Sequence, residues 1–263
     1  MRNRVVIQQI TPSVEGGRFA AKAVVGDDLV VGADILREGH DLLSATVRYR
    51  GPGDTRWLEA PMRLGVNDRW YGSFPVDRMG AWRYGVTAWT DHYRTWLDGT
   101  RKKFDAGQTD LDLQFADGAL LLERRLRGLN RAIREVLLEA ISVLRGDADP
   151  HVRLAAAQDP DLLALLGRHP ERLDRTVSRP DLPLWVDRER GRFSAWYEMF
   201  PRSYGATDTR SGTFADAAKR LPAIADMGFD IVYLPPIHPI GRTNRKGANN
   251  SLQAAEWEPG PGR

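Results

Sequence analysis

Apolar positions change period twice along this chain. From residue 1 to about 105 they come in short runs or strict alternation. Val5-Val6-Ile7 and Leu29-Val30-Val31 are brief apolar runs, and Thr46–Arg50 alternates apolar with polar. Trp82, Tyr84, Val86 and Ala88 fall on one face of a strand, because successive side chains of an extended chain point to opposite sides. Gly51-Pro52-Gly53-Asp54, Val66-Asn67-Asp68 and Asp98-Gly99 read as turns between such runs. Strands at roughly ten-residue spacing predict a small β-sandwich of immunoglobulin-like type over residues 1–105.

From 106 to 182 the period becomes helical. Leu122, Leu126, Leu129, Ile133, Val136, Leu137, Ala140 and Leu144 recur at three- and four-residue spacing. They predict one long amphipathic helix, ended by Gly146 and Asp147. Asp149-Pro150 and Asp159-Pro160 read as N-cap plus first-turn proline, each starting a short helix. Gly167 suits the C-terminal cap of the second, and His169-Pro170 is placed to begin another. The segment is a small helical bundle. Leu184-Trp185-Val186 is strand-like and has two readings. Either it leads into the next domain, assigned here to 183–263, or it returns to the N-terminal sheet, which makes the bundle an insertion.

After residue 193 the pattern is strand, helix, strand. F-S-A-W-Y-E-M-F-P-R-S-Y-G (193–205) holds the first strand and G-F-D-I-V-Y-L-P-P-I-H-P-I-G (228–241) the second. Phe214, Ala217, Ala218, Leu221 and Ile224 give the intervening helix its apolar face. Thr213 with Asp216 fits a capping box, Pro222 kinks or splits the helix, and Gly228 closes it. Ile231–Leu234 is continuously apolar, as expected of a parallel strand covered by helices. The pattern is the first β-α-β unit of a (β/α)₈ barrel.

Composition narrows the chemistry. The chain has no cysteine, which excludes disulfides, thiolate catalysis and cysteine-bound zinc. Lys and Arg (38) nearly balance Asp and Glu (35), so no broad nucleic-acid-binding field is implied. No apolar run approaches a membrane span, and the N-terminus lacks the apolar core of a secretory signal. A cytoplasmic location is expected. The five histidines are scattered, and no metal or cofactor is expected.

Ligands of parallel α/β folds bind at the C-terminal ends of strands. The loop leaving the second strand, 235–250, carries His238, Thr243, Asn244, Arg245, Lys246, Asn249 and Asn250, groups suited to sugar hydroxyls and anions. Its alternative is a solvated loop stiffened by prolines. Glu198 on the first strand is either an acid or base, or a structural charge paired with Arg202. A single carboxylate favours the structural reading. Trp70, Tyr71, Phe74, Trp82, Tyr84, Trp89 and Trp96 either stack on sugars or fill the core. Alternation assigns most of them to the core.

The A-W-Y-E-M-F-P-R-S-Y-G and G-F-D-I-V-Y-L-P-P-I-H-P-I-G-R-T-N-R-K-G-A-N-N stretches resemble the α-1,4-glucan:maltose-1-phosphate maltosyltransferases, a branch of the α-amylase superfamily. The resemblance covers essentially the whole chain. It implies a homodimeric enzyme that transfers maltosyl units from α-maltose 1-phosphate to an α-1,4-glucan acceptor with retention, releasing phosphate. It also implies that Lys246 contacts the phosphorylated donor. The family's nucleophile and acid/base sit on later barrel strands. A complete barrel needs about 250 residues, and only about 70 follow Phe193. No catalytic residue is therefore assigned within the chain. These 263 residues are expected to be inactive alone, with an open sheet edge and an exposed apolar face after residue 190. Two competing readings are another glucan hydrolase or branching enzyme of the superfamily, and a non-catalytic glucan-binding or dimerisation module.

Overall fold

A computed structural model describes residues 5–205, 211–238, 243–247 and 250–255. Two compact units emerge, Met1–Asp187 and Arg188–Arg263. The first mixes sheet and helix. Its strands are β1 (Val5–Thr11), β2 (Ala21–Val24), β3 (Asp28–Arg37), β4 (Leu43–Arg50), β5 (Leu58–Pro61), β6 (Arg63–Leu64), β7 (Arg69–Pro75) and β8 (Gly80–Thr90). Helices α1 (His92–Asp105), α2 (Asp112–Arg124), α3 (Arg131–Arg145), α4 (Pro150–Ala157) and α5 (Pro160–Arg168) follow, then β9 (Thr176–Val177) and β10 (Leu182–Asp187).

One sheet runs β1-β3-β7-β6; the other runs β2-β10-β8-β4-β5, with β9 beside β8. Both contribute to one apolar core, in which Val31, Ile35 and Phe74 of the first meet Val47, Tyr84, Val86 and Leu184 of the second. Alternation decides which face each strand buries. In β3, Leu29, Val31, Ala33 and Ile35 are buried while Val30 between them is exposed. In β8, Trp82, Tyr84, Val86 and Ala88 are buried as their spacing predicts. Thr87 and Trp89 on the opposite face are buried too, because the chain returning from the bundle lies across them. There Ser178 Oγ accepts from the Val86 amide at 2.9 Å, and the Arg172 guanidinium stands 4.2 Å from the Trp89 ring centroid.

Four expectations are corrected. Residues 1–105 are not all β: α1 occupies 92–105, and Asp98-Gly99 lies inside it rather than in a turn. Asp91 caps this helix through the Arg94 amide, and Tyr93, Trp96, Leu97, Thr100 and Phe104 give it a helical face. The long helix is two helices, α2 and α3. Gly128 takes a left-handed φ of 78°, and Asn130 Oδ1 accepts from the Ile133 amide at 3.0 Å to start α3. The apolar period survives the break because both helices bury their stripe in the same core, where Phe115, Ala119 and Leu122 join Leu137, Ile141 and Leu144. Helix α5 passes through Gly167 and ends at Arg168 with His169 as its C-cap, and no helix begins at Pro170. A residue before proline is driven out of the helical region, and His169 has φ −123° and ψ 62°. Finally, of the two readings of Leu184-Trp185-Val186 the pairing follows the second, the return to the N-terminal sheet, and only the assigned boundary at 183 is corrected. Strand β10 pairs parallel with β2 and antiparallel with β8, so α1–α5 lie between strands of one sheet and the second unit starts at Arg188, not 183.

The Asp-Pro signals act as expected. Asp149 accepts from the His151 amide at 2.8 Å, and Asp159 from the amides of Asp161 and Leu162 at 2.9 Å. Arg153 of α4 is buried and ties three helices together. It donates to the Leu144 carbonyl at the end of α3 and to Asp112 at the start of α2, over the face of Phe115.

The second unit contains β11 (Trp196–Glu198), α6 (Phe214–Ala218), α7 (Leu221–Asp226) and β12 (Ile231–Tyr233). Strands β11 and β12 pair parallel, Trp196 opposite Ile231 and Glu198 opposite Tyr233. Thr213 and Asp216 form the expected capping box, and the helical stretch splits just before Leu221-Pro222, placing the proline where no amide donor is required. The core is small: Met199, Ala217 and Ile224, with Tyr197, Tyr204, Phe229, Val232 and Leu234 half-buried around them. Phe193, Trp196, Phe214 and Met227 are exposed.

Candidate functional site

A cleft of about 500 Å³ opens in the second unit where its two strands end. Its walls come from three short segments. Phe200, Pro201 and Arg202 follow β11; Ser211, Gly212, Thr213 and Phe214 lead into α6; Pro235, Pro236, Ile237 and His238 follow β12. The parallel pairing puts the first and third segments side by side, and the Met199 amide donates to the Tyr233 carbonyl at 3.1 Å. The middle segment is fastened to the first, since the Gly212 amide donates to the Arg202 carbonyl at 2.8 Å.

Gly212 is required by space rather than by dihedral angle. A Cβ there would lie 2.5 Å from the Pro201 carbonyl oxygen and 2.7 Å from the Gly205 nitrogen, both backbone atoms that cannot swing aside. Proline, phenylalanine and isoleucine give the cleft flat apolar walls, while Arg202, Ser211, Thr213 and His238 supply polar groups. Such a mixture suits a ring with hydroxyls on its rim or an anionic group.

Of the residues expected at the site, His238 lines the cleft; Arg202, expected only as a partner for Glu198, lines it too. Thr243 and Asn244 are exposed in the loop beyond, and Asn249 lies outside the described residues. Residues 245–247 and 251–254 are joined by backbone bonds: the Gly247 amide donates to the Ser251 carbonyl at 3.0 Å, and the Ala254 amide to the Arg245 carbonyl at 3.1 Å. Asn244 and Asn250 take left-handed φ values of 54° and 64°, which asparagine tolerates better than most residues. Lys246 Nζ donates to Asn250 Oδ1 at 2.9 Å. Its partner is a neutral amide, so that bond leaves the ammonium charge uncancelled. Glu198 is exposed at the end of β11, and among the described residues no ion pair joins it to Arg202. Opposite the cleft, Asp230 accepts from the Ala195 amide at 3.0 Å and pairs with Arg190, which fixes the start of both strands.

The contributions of 200–202 and 211–214 were not anticipated from sequence. Only the Pro-rich 235–238 stretch carried a local signal. The aromatic residues of the first unit divide largely as expected. Trp70, Phe74, Trp82, Tyr84 and Trp89 are buried, Tyr71 is exposed, and Trp96 belongs to the helices instead. Among the described residues no group of three or more His, Asp or Glu side chains is placed to hold a metal ion, and no helix is long and apolar enough to cross a membrane.

The first unit coincides with a recognised domain: residues 3–188 match the profile described as alpha-1,4-glucan:maltose-1-phosphate maltosyltransferase, domain N/S. Similarity continues through the second unit. A protein of Streptomyces coelicolor named alpha-1,4-glucan:maltose-1-phosphate maltosyltransferase 1 is 47% identical over 255 residues, 95% of this chain and 38% of that protein. Namesakes from Chlorobaculum tepidum (44% over 263 residues, 98% of this chain, 38% of the relative) and Mycobacterium tuberculosis (42% over 287 residues, 98% and 41%) agree. The chain belongs to the α-1,4-glucan:maltose-1-phosphate maltosyltransferase family. It spans about two fifths of the length of the curated relatives it matches.

Proposed function

We infer that this chain is the N-terminal portion of an enzyme that moves maltosyl units from α-maltose 1-phosphate onto an α-1,4-glucan, with release of phosphate. The observation that carries this reading is the cleft at the C-terminal ends of two parallel strands, in a chain whose relatives are named for that transfer. In this reading the two sheets of the first unit form an immunoglobulin-like sandwich, and β11, α6, α7 and β12 open a (β/α)₈ barrel. The exposed Phe193, Trp196 and Met227 are consistent with faces that further strands and helices would cover. The location is cytoplasmic, and the assembly is a homodimer through the sandwich and bundle.

Lys246 is assigned to the donor phosphate. Its ammonium is held by a neutral partner, and backbone bonds join 245–247 to 251–254 around it, which suits a charge intended for an anion. The covalent step of retaining transfer needs a carboxylate nucleophile and a second carboxyl as acid and base. Both are assigned to barrel strands following β12, so the 263-residue chain is inactive alone.

Phosphate release from α-maltose 1-phosphate in the presence of glucan tests this directly. The product of the complete gene should release phosphate and the 263-residue chain should not. Turnover by the short chain, or none by the complete product, would refute the assignment. In the complete protein Lys246→Ala should weaken donor binding by roughly 1.5–3 kcal/mol, the range for a hydrogen bond to a charged group, and so raise the donor KM tenfold or more.

A further inference from the structure

Asn244 and Asn250 bracket Lys246, and both hold left-handed φ values, 54° and 64°. Few side chains accept that region. Glycine does so freely, and asparagine and aspartate do so more readily than most. The backbone at 250 therefore favours these three residues. Chemistry separates them. Lys246 Nζ donates to Asn250 Oδ1 at 2.9 Å. Glycine would offer no acceptor at that place. Aspartate would offer one but would cancel the ammonium charge. Asparagine meets the backbone requirement, supplies an acceptor and leaves the charge intact.

What the bond does follows from the lysine. Lys246 is exposed. Its flexible four-carbon stem samples many rotamers, and ordering it on a ligand costs entropy. A bond to Asn250 holds the ammonium in one place before the ligand arrives and leaves two of its three N–H groups to donate. The flanks of the pair are tied together by the backbone bonds from Gly247 to Ser251 and from Ala254 to Arg245.

We propose that Asn250 is a positioning residue, which sets the Lys246 ammonium for the donor phosphate without neutralising it. Asn250 has this role only if Lys246 meets that phosphate, as assigned above.

Donor KM in the complete gene product tests this. Asn250→Gly keeps the left-handed backbone and removes the acceptor. Asn250→Asp keeps both and adds a carboxylate. The control donor is α-maltosyl fluoride, which transfers the same maltosyl unit but releases fluoride in place of phosphate. Asn250→Gly should raise the KM for α-maltose 1-phosphate about fivefold, the equivalent of one ordinary hydrogen bond, and leave the KM for the fluoride unchanged. Asn250→Asp should raise it at least as far, although its acceptor is retained. In a Lys246→Ala background Asn250→Gly should have no further effect, since the partner it acts through is gone. Equal rises with both donors, an undiminished effect without the lysine, or an unchanged KM in Asn250→Gly would each overturn the proposal. Should Asn250→Gly fail to fold, Asn250→Asp decides, and an unchanged KM there overturns the proposal as well. If Lys246→Ala leaves the KM for α-maltose 1-phosphate unchanged, the lysine assignment falls and the role of Asn250 with it. If Lys246→Ala raises that KM and Asn250→Gly does not, the role of Asn250 falls alone.

Discussion

Gly118→Ala should destabilise the bundle, although alanine is the better helix former. Gly118 sits mid-way along α2, where replacing glycine by alanine would ordinarily gain up to about 1 kcal/mol. The Trp96 indole of α1 crosses that position. A Cβ on residue 118 would lie well inside 3.0 Å of three indole carbons. The ring is also anchored, its N–H donating to the Gln114 carbonyl at 2.6 Å and its face lying 5.1 Å from the Tyr93 ring centroid. To reach ordinary contact it must retreat by about an ångström or more. That breaks a hydrogen bond worth about 1 kcal/mol and forces overpacking that costs typically 1–3 kcal/mol. Set against the helix gain, the net loss is about 1–3 kcal/mol. Urea unfolding followed by far-ultraviolet circular dichroism reads this as a lower midpoint at unchanged slope. The cycle with Trp96→Leu isolates the cause, because leucine removes the ring atoms that the methyl would strike. In that background Gly118→Ala should be neutral or stabilising. A stabilising Gly118→Ala in the wild-type background, or an equal loss in both, would refute the steric argument.

Three further perturbations test other joints. Gly212→Ala should distort the cleft, since its methyl would strike the Pro201 carbonyl; in the complete enzyme donor KM should rise, and an unchanged KM would count against the cleft. Arg153→Met should lower stability by about 1–3 kcal/mol, because the Leu144 carbonyl at the end of α3 loses its donor, and chemical denaturation measures it. Glu59 has its pKa held below the ordinary glutamate value, chiefly by hydrogen bonds from Arg172, against the opposing effect of burial. Its contribution is present above the unfolded-state pKa and is lost as pH falls through the lower folded-state pKa. Stability should therefore fall on the acid side of the ordinary carboxylate range, and Glu59→Gln should flatten that part of the curve.

Local chemistry was legible in the sequence wherever a short-range rule acted alone. The alternation through Trp82–Ala88, the two Asp-Pro helix starts and the Thr213–Asp216 capping box each need only a few neighbouring residues. Reading failed where two rules competed. Asp98-Gly99 carries a turn signature, yet it lies inside α1, where Asp91 caps the start and apolar residues hold a helical period. The stripe from Leu122 to Leu144 kept its period across a break, because a helical hairpin presents both arms to one core. Spatial requirements left no trace at all. Nothing beside Gly118 or Gly212 announces an indole or a carbonyl above it. The cleft was half visible, through the prolines and His238 after β12 and not through the segments facing them.

The return of the chain after the bundle has a topological consequence. Ala88 pairs with Thr176 and Thr87 with Val177, and the Thr90 amide donates to Asp174 at 3.0 Å. The point where the chain leaves the sheet and the point where it re-enters are therefore neighbours across one antiparallel ladder. In outline, residues 91–173 are an enlarged hairpin turn with its own core. A short β-turn could close the same ladder, which makes the helices an excisable module. The reverse cut is not permitted: a chain ended before residue 182 would strand β2, whose neighbour in the sheet is β10. During synthesis the helices can therefore settle while the sheet behind them still waits for its last strand.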